Sequence, residues 1–332
     1  MLTTINFWFK NARPTALPQS MFPAVLAFCM ASGTPQFSWW LGVVAIIGIF
    51  FSHLAINLFD DYFDYRVKTT QARENLVHRG MRARIAKCAY LTSGAATLEQ
   101  LLRVALLLGA CALLCSFVIF FFRGPVILVI AILVAFLGIS YSGSPLRLSY
   151  LGLGELQIGL MFGPMLMSGL YFSATGSLSP TLIVSSFSVG LLVANVVYTH
   201  SIMDFEPDKE VGKMTFAVLL GSQKRMLTGL FIILFLIYAS MVGSIWAGYL
   251  SPYYLFVLLT LPMVWSLGRL MIEFVRNPKR SFAPRFWMGP MANWSRIQSI
   301  GTDWFMLRWY LARNLLAGFC IICIVVTLYL KF

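Results

Sequence analysis

Charge is what this sequence has least of. Asp, Glu, Lys and Arg make up 11% of its 332 residues and hydrophobic residues 59%, whereas soluble domains carry about 25% charged residues. So few charges exclude a soluble globular enzyme and a disordered chain alike. Acids are scarcer than bases, 12 Asp and Glu against 25 Lys and Arg, for a formal net charge of +13. In a chain this apolar the surplus reads as loops facing anionic lipid, and no nucleic-acid partner is expected. Six cysteines give no disulfide framework. Cys29, Cys111, Cys115, Cys320 and Cys323 lie in apolar runs, as small hydrophobes do. Cys320 and Cys323 have C-x-x-C spacing, but Phe319, Ile321, Ile322 and Ile324 flank them, with no partner suited to zinc or redox chemistry.

Long apolar runs are abundant. They fall at 16–33, 39–58, 104–122, 125–141, 156–173, 182–203, 227–249, 252–272 and 315–330, each near the length of a membrane-spanning helix. The first follows Lys10 and Arg13 and resembles a signal peptide, but eight more runs come after it, so it is read as a retained helix. Nine spans put the termini on opposite sides. With the N-terminus inside, 23 of the 25 basic residues fall on the cytoplasmic side, leaving only Arg123 and Lys331 opposite. All 12 acids lie on or beside that same face, Glu155 at the end of segment 142–155 and the others in loops of about 59–103, 204–226 and 273–314. The expectation is a multi-pass protein of the inner (cytoplasmic) membrane, with its chemistry on the cytoplasmic side. An ion-coupled transporter is disfavoured, because the interior of the spans lacks the ionisable residues that would hold a coupling ion.

The few acids are clustered. The second span ends in Asn57-Leu58-Phe59-Asp60-Asp61-Tyr62-Phe63-Asp64-Tyr65, and the sixth in Asp204-Phe205-Glu206-Pro207-Asp208-Lys209-Glu210. Asp60 and Asp64, like Asp204 and Asp208, are four residues apart, so on a helix each pair shares a face. The two pairs are offset by 144 residues (60 to 204, 64 to 208), which reads as a tandem four-helix repeat. Same-face carboxylates repel unless a cation joins them. Mg²⁺ suits the arrangement, since it binds through one or two carboxylates together with substrate phosphates and neutralises a departing diphosphate. Lys68, Arg147, Lys209 and Lys213 lie near the clusters in sequence and are candidates for diphosphate oxygens. Gly212-Lys213-Met214-Thr215 is similar to the end of a nucleotide-binding P-loop, but Pro207 stands where that motif needs glycine.

In this order the motifs resemble the UbiA superfamily of intramembrane prenyltransferases, and within it the dihydroxynaphthoate polyprenyltransferase branch. Ala12-Arg13-Pro14-Thr15-Ala16-Leu17-Pro18 resembles the branch's opening, and the run from Asn57 to Tyr65 its first aspartate motif. Ser93 to Gln100 and Tyr141-Ser142-Gly143-Ser144-Pro145 through Gly152-Leu153-Gly154-Glu155 are similar to its connecting signatures, and Asp204 through Thr215 to its second aspartate motif. The resemblance implies an all-α, nine-helix bundle forming one domain over 1–332. It further implies that Mg²⁺ held by the aspartates ionises a polyprenyl diphosphate and that the prenyl carbon joins an aromatic acceptor, dihydroxynaphthoate in menaquinone biosynthesis. Asp61, Asp64, Asp204 and Asp208 match its catalytic metal positions, Asp60 is counted with them as a metal ligand, and Lys213 matches a basic position contacting diphosphate. Asn57 is counted as substrate-binding. Other acceptors of the superfamily, 4-hydroxybenzoate, another phenol or a porphyrin, form the alternative. A CDP-alcohol phosphotransferase is disfavoured, because the chain has no Asp-Gly pair.

The chain departs from the branch at Asp60 and Met203, where Asn and Arg are usual, and at His200 and Ser201, which are often Asn. His200 is a candidate base or orienting group, and Tyr141 and Tyr198 are candidates for contact with the prenyl cation or the acceptor. Segment 273–314, with Trp287, Trp294, Trp304 and Trp309 among basic residues, reads as an interfacial helix or a lid.

Overall fold

The computed structural model describes residues 2–66 and 88–331. Lys68 lies outside the described residues. Among them no strand forms, and the one β-bridge joins Leu151 to Met214. Among the described residues seven helical stretches are long and apolar enough to cross a membrane: Trp39–Arg66, Leu98–Arg123, Gly154–Thr175, Pro180–Met203, Gln223–Trp246, Pro252–Arg276 and Asp303–Tyr329. Two of the nine apolar runs form shorter helices, Pro18–Ala31 and Val126–Ser140. The chain divides into two compact units, 1–148 with 165–178, and 149–164 with 179–332.

The first unit contains α1 (Leu2–Asn11), α2 (Pro18–Ala31), α3 (Trp39–Arg66), α4 (Ala89–Thr92), α5 (Leu98–Arg123), α6 (Val126–Ser140) and α8 (Leu166–Thr175). α3 packs along α5, and α8 packs on both α2 and α3. Small residues set these approaches: a Cβ at Gly48 would stand 3.1 Å from that of Cys115. α5 begins six residues before its apolar run, where Thr97 and Gln100 make a capping box: the Gln100 N–H donates to Thr97 Oγ1 at 3.2 Å and the Thr97 N–H to Gln100 Oε1 at 2.9 Å. On its outer side Leu107, Leu114 and Phe121 recur every seven residues, all exposed, as suits a lipid-facing stripe. Arg123, one of the two cations that the sequence places away from the others, donates to the carbonyls of Ser173 (2.9 Å) and Ala174 (2.8 Å). It thereby satisfies the open carbonyl end of α8.

The second unit contains α7 (Gly154–Leu160), α9 (Pro180–Met203), α10 (Phe205–Glu210), α11 (Phe216–Leu220), α12 (Gln223–Trp246), α13 (Leu261–Arg276), α14 (Trp294–Ser299) and α15 (Asp303–Tyr329). α7 continues into α8 through a π-helical turn, Met161–Met165, that contains Pro164. Pro164 has no N–H for the helical ladder, and a π turn is one way of absorbing the loss. α9 packs against α7, α12 and α15. The chain approaches α9 at backbone distance: a Cβ on Gly163 would fall 2.4 Å from the Cα of Gly190.

Segment 277–302 is held down from beneath. The Trp287 indole N–H donates to Ser266 Oγ at 3.0 Å, and Asn314 Nδ2 donates to the carbonyls of Met288 (2.9 Å) and Pro290 (3.0 Å). The Tyr310 hydroxyl reaches the Ala292 carbonyl at 3.3 Å. Counting Arg308 as a loop cation needs correction, because α15 starts at Asp303 and Arg308 is fully buried. It donates to the carbonyls of Leu270 (2.9 Å) and Trp304 and lies over the Phe274 ring. Cys320 and Cys323 are free thiols buried on the same helix, as their apolar flanks implied.

Candidate active site

The first carboxylate cluster is built on the last two turns of α3. The apolar run ends near position 58, yet the helix continues to Arg66, because groups from elsewhere meet the acids. Arg13 Nη1 donates to Asp60 Oδ2 at 3.1 Å, and its Nη2 pairs with Asp61. Ser142 Oγ donates to Asp60 Oδ1 at 2.5 Å and the Tyr90 hydroxyl to Asp61 Oδ2 at 3.0 Å. Asp61 and Asp64 are buried and Asp60 half-buried. Burial opposes the Arg13 charge, but the neighbouring Asp60, Cys88 and Tyr90 together outweigh it and raise the guanidinium above its ordinary value. Burial likewise raises the Tyr90 phenol, which stays a proton donor to Asp61.

Arg13 takes this position from an unusual backbone. It sits in the left-handed region at φ 60°, directly before Pro14, a conformation that costs a non-glycine residue about 1–3 kcal/mol. Asn57 helps to hold it there: Nδ2 donates to the carbonyl of the preceding Ala12 at 3.0 Å. The structure thus gives Asn57 a positioning contact. From the sequence Arg13 reads as a basic flank of the first apolar run and as part of a motif, not as a partner of the acids. The signal that it belongs to the cluster was that motif itself, lying upstream of the acids.

The second cluster is shaped differently from the first. α9 ends at Met203, Asp204 bridges to the short α10, and Asp208 lies within α10. The break has a cause in Pro207, which has no N–H to continue the ladder and is tolerated only in the first turn of a new helix. The four-residue relation nonetheless survives: the Asp208 N–H donates to the Asp204 carbonyl at 2.8 Å. Both aspartates are buried. His200 Nε2 donates to Asp204 Oδ2 at 2.9 Å, with its ring edge-on to Phe305 at 5.2 Å. Phe305 was not singled out from the sequence.

Lys213 is placed by the end of α10. Gly212, at φ 70°, lets its N–H reach the Lys209 carbonyl (3.2 Å) while the Lys213 N–H reaches that of Asp208 (2.8 Å). These two bonds form a Schellman motif. The Gly-Lys-Met-Thr sequence that looked like part of a P-loop is a helix stop. It seats a buried Lys213 with its ammonium 5.4 Å from the centre of the Tyr150 ring. Glu155 secures the same loop. It accepts from Ser201 Oγ at 2.6 Å and from the Phe216 N–H at 3.3 Å, capping α11 from the first turn of α7.

The remaining candidates are placed as follows. Lys209 is exposed, 5.9 Å from the centre of the Phe205 ring. Tyr198 is fully buried and its hydroxyl donates to the Met226 carbonyl at 2.9 Å, a contact that ties α9 to α12. Tyr141 follows α6, and Arg147, at φ 48°, lies in the loop after it; both are half-buried. Among the described residues no group of three His, Cys, Asp or Glu converges enough to enclose a metal alone. The donors are buried carboxylate oxygens, the hard ligands that suit Mg²⁺ completed by substrate phosphate.

A chain all-helical among its described residues, with apolar membrane-length helices and two buried aspartate clusters, one met by Arg13 and Tyr90 and the other by His200 and Phe305, fits the class of intramembrane enzymes. Residues 20–290 match the UbiA prenyltransferase family, to which the chain belongs. It is 26% identical over 260 residues to the 1,4-dihydroxy-2-naphthoate octaprenyltransferase of Bacillus subtilis, covering 76% of this chain and 78% of that protein. To the Escherichia coli enzyme of the same name it is 27% identical over 220 residues, covering 64% and 68%. In fold it is similar to a UbiA homolog from Archaeoglobus fulgidus solved with DMAPP and Mg²⁺, at TM-score 0.57 and 16% identity over 96% of this chain and 99% of that one.

Proposed function

We propose that this prenyltransferase moves a polyprenyl group from its diphosphate to 1,4-dihydroxy-2-naphthoate, in a Mg²⁺-dependent step of menaquinone biosynthesis. The reading takes the whole chain as one nine-helix domain with a tandem repeat, in the inner membrane, with its aspartates on the cytoplasmic side. The observation that carries it is the pair of buried carboxylate clusters at matching offsets, in a chain whose naphthoate-specific relatives align over most of its length. Asp61 and Asp64 in one unit, and Asp204 and Asp208 in the other, are the metal ligands in this reading, with Asp60 adding negative potential. Mg²⁺ supplies the charge that neutralises the diphosphate as it leaves.

The chain's own residues do the rest. Lys213, held over Tyr150, offers its ammonium to the diphosphate oxygens, with Arg147, Lys209 and Lys68 as further cations. The allylic C1–O bond breaks with its electron pair leaving on diphosphate, and aromatic faces stabilise the resulting cation until a carbon of the electron-rich ring bonds to C1. That carbon then releases the group it carried, a proton or the carboxyl group as CO2, which restores the aromatic ring. His200 donates to Asp204, so we assign it the orientation of that carboxylate. Tyr141 remains a candidate for contact with the cation or the acceptor.

The test is transfer from a radiolabelled polyprenyl diphosphate, in membranes containing the protein, with Mg²⁺ and a panel of aromatic acceptors. Dihydroxynaphthoate is expected to be the preferred acceptor, and Asp64→Asn to lower the rate at least about a hundredfold, as loss of transition-state charge stabilisation does. Full activity in Asp64→Asn, or preference for 4-hydroxybenzoate, sinks the corresponding half of the reading.

A further inference from the structure

We propose that Arg13 is a built-in counter-ion of the first carboxylate cluster, and that with Asp60 it sets how tightly that cluster binds its divalent cation. Three carboxylates lie within five residues of one helix, at positions 60, 61 and 64. Arg13 reaches two of them, Asp60 at 3.1 Å and Asp61 through its other terminal nitrogen.

The contact is built into the fold. The guanidinium is delivered by a left-handed residue before proline, and Asn57 ties down the carbonyl next to it. Ser142 and Tyr90 hold the far oxygens of Asp60 and Asp61. Arg13 and Asp60 therefore act as a matched pair next to Asp61. The guanidinium competes with a dication for the Asp61 oxygens, while the Asp60 carboxylate offsets that competition. The two charges should thus shift metal affinity in opposite directions and nearly cancel when both are removed. A purely structural Arg13 predicts instead that each change weakens binding and that the double change weakens it further.

The proposal rests on the reading of Asp61 and Asp64 as metal ligands. It is tested on the purified full-length protein without prenyl substrate, by titrating Mn²⁺, a paramagnetic substitute for Mg²⁺, and following free Mn²⁺ by electron paramagnetic resonance. Arg13→Gln is expected to bind Mn²⁺ at least about tenfold tighter and Asp60→Asn at least about tenfold weaker, the scale of a charge removed at this range. The Arg13→Gln/Asp60→Asn double variant should return to within about threefold of the parent, as cancelling charges require. Arg13→Lys keeps the charge and should stay near the parent, which separates charge from loss of fold. Unchanged or weaker binding in Arg13→Gln, or a double variant as weak as Asp60→Asn, overturns the proposal. Asp64→Asn is the control on the underlying reading: if it binds Mn²⁺ like the parent, the cluster is not the metal site and the counter-ion proposal fails with it.

Discussion

At the scale of single residues, the second cluster depends on a carboxylate that no metal need touch. Glu155 caps α11 and accepts from Ser201, so it fixes the ends of the loop that presents Lys213. Replacing it with Gln keeps an acceptor but removes the charge, and charge-assisted bonds are about twice as strong as neutral ones. Glu155→Gln is expected to raise KM for the prenyl diphosphate about three- to tenfold with a smaller change in kcat, as loss of a contact to a bound group does. Steady-state kinetics with the acceptor saturating checks this; a fall in kcat at unchanged KM would place Glu155 in the chemical step instead. Both clusters were legible in the sequence as residue types and spacings. Their partners were not: Arg13 is separated from Asp60 by 47 positions, and Glu155 from Phe216 by 61.

At the scale of elements, the two aspartate motifs share an offset but not a backbone. α3 runs unbroken through Asp60, Asp61 and Asp64, whereas α9 stops before Asp204 and α10 begins anew. Spacing announced a common face, and it was Pro207 that divided the second helix. Gly212→Ala places a side chain at φ 70°, at a cost of about 1 kcal/mol for the left-handed conformation. It should loosen the helix stop and raise KM for diphosphate while leaving expression intact, measured on protein purified in parallel with the parent. Gly163→Leu acts elsewhere. Its Cβ would lie 2.4 Å from the Gly190 Cα, so the backbones must separate, and overpacking of this kind costs about 1–3 kcal/mol or more. The expected result is a lower unfolding temperature in detergent, read by a thiol-reactive dye, even in preparations that keep some activity. Wild-type thermal stability would show that the crossing tolerates a side chain.

At the scale of the whole molecule, the sparse charge of the sequence predicts an orientation. Residues expected inside carry 23 of the 25 basic groups, which puts the N-terminus, the aspartate loops and segment 277–302 on one side of the membrane. Single cysteines introduced at Arg296 and at Ser177, in a background lacking the native six, should label from opposite sides in inverted and right-side-out vesicles. Labelling of both from the same side would refute the orientation. Not every cation counted in this way meets solvent, since Arg308 is buried among helices and Arg123 closes a helix end. A cation in a sequence reads as solvent-facing until a carbonyl or a ring is known to meet it.

The amino-acid sequence by itself determined that the chain lives in a membrane, that its few acids sit in two matched clusters, and that hard-cation chemistry suits them. Hydropathy and four-residue spacing are local properties, so they can be read along the chain. Only the tertiary structure decided that Arg13 meets Asp60 and Asp61, that Glu155 holds the loop of Lys213, and that Tyr198 and Arg308 serve packing. Those pairings join residues far apart in sequence, and they arise when burial leaves each charge or hydroxyl no water to turn to.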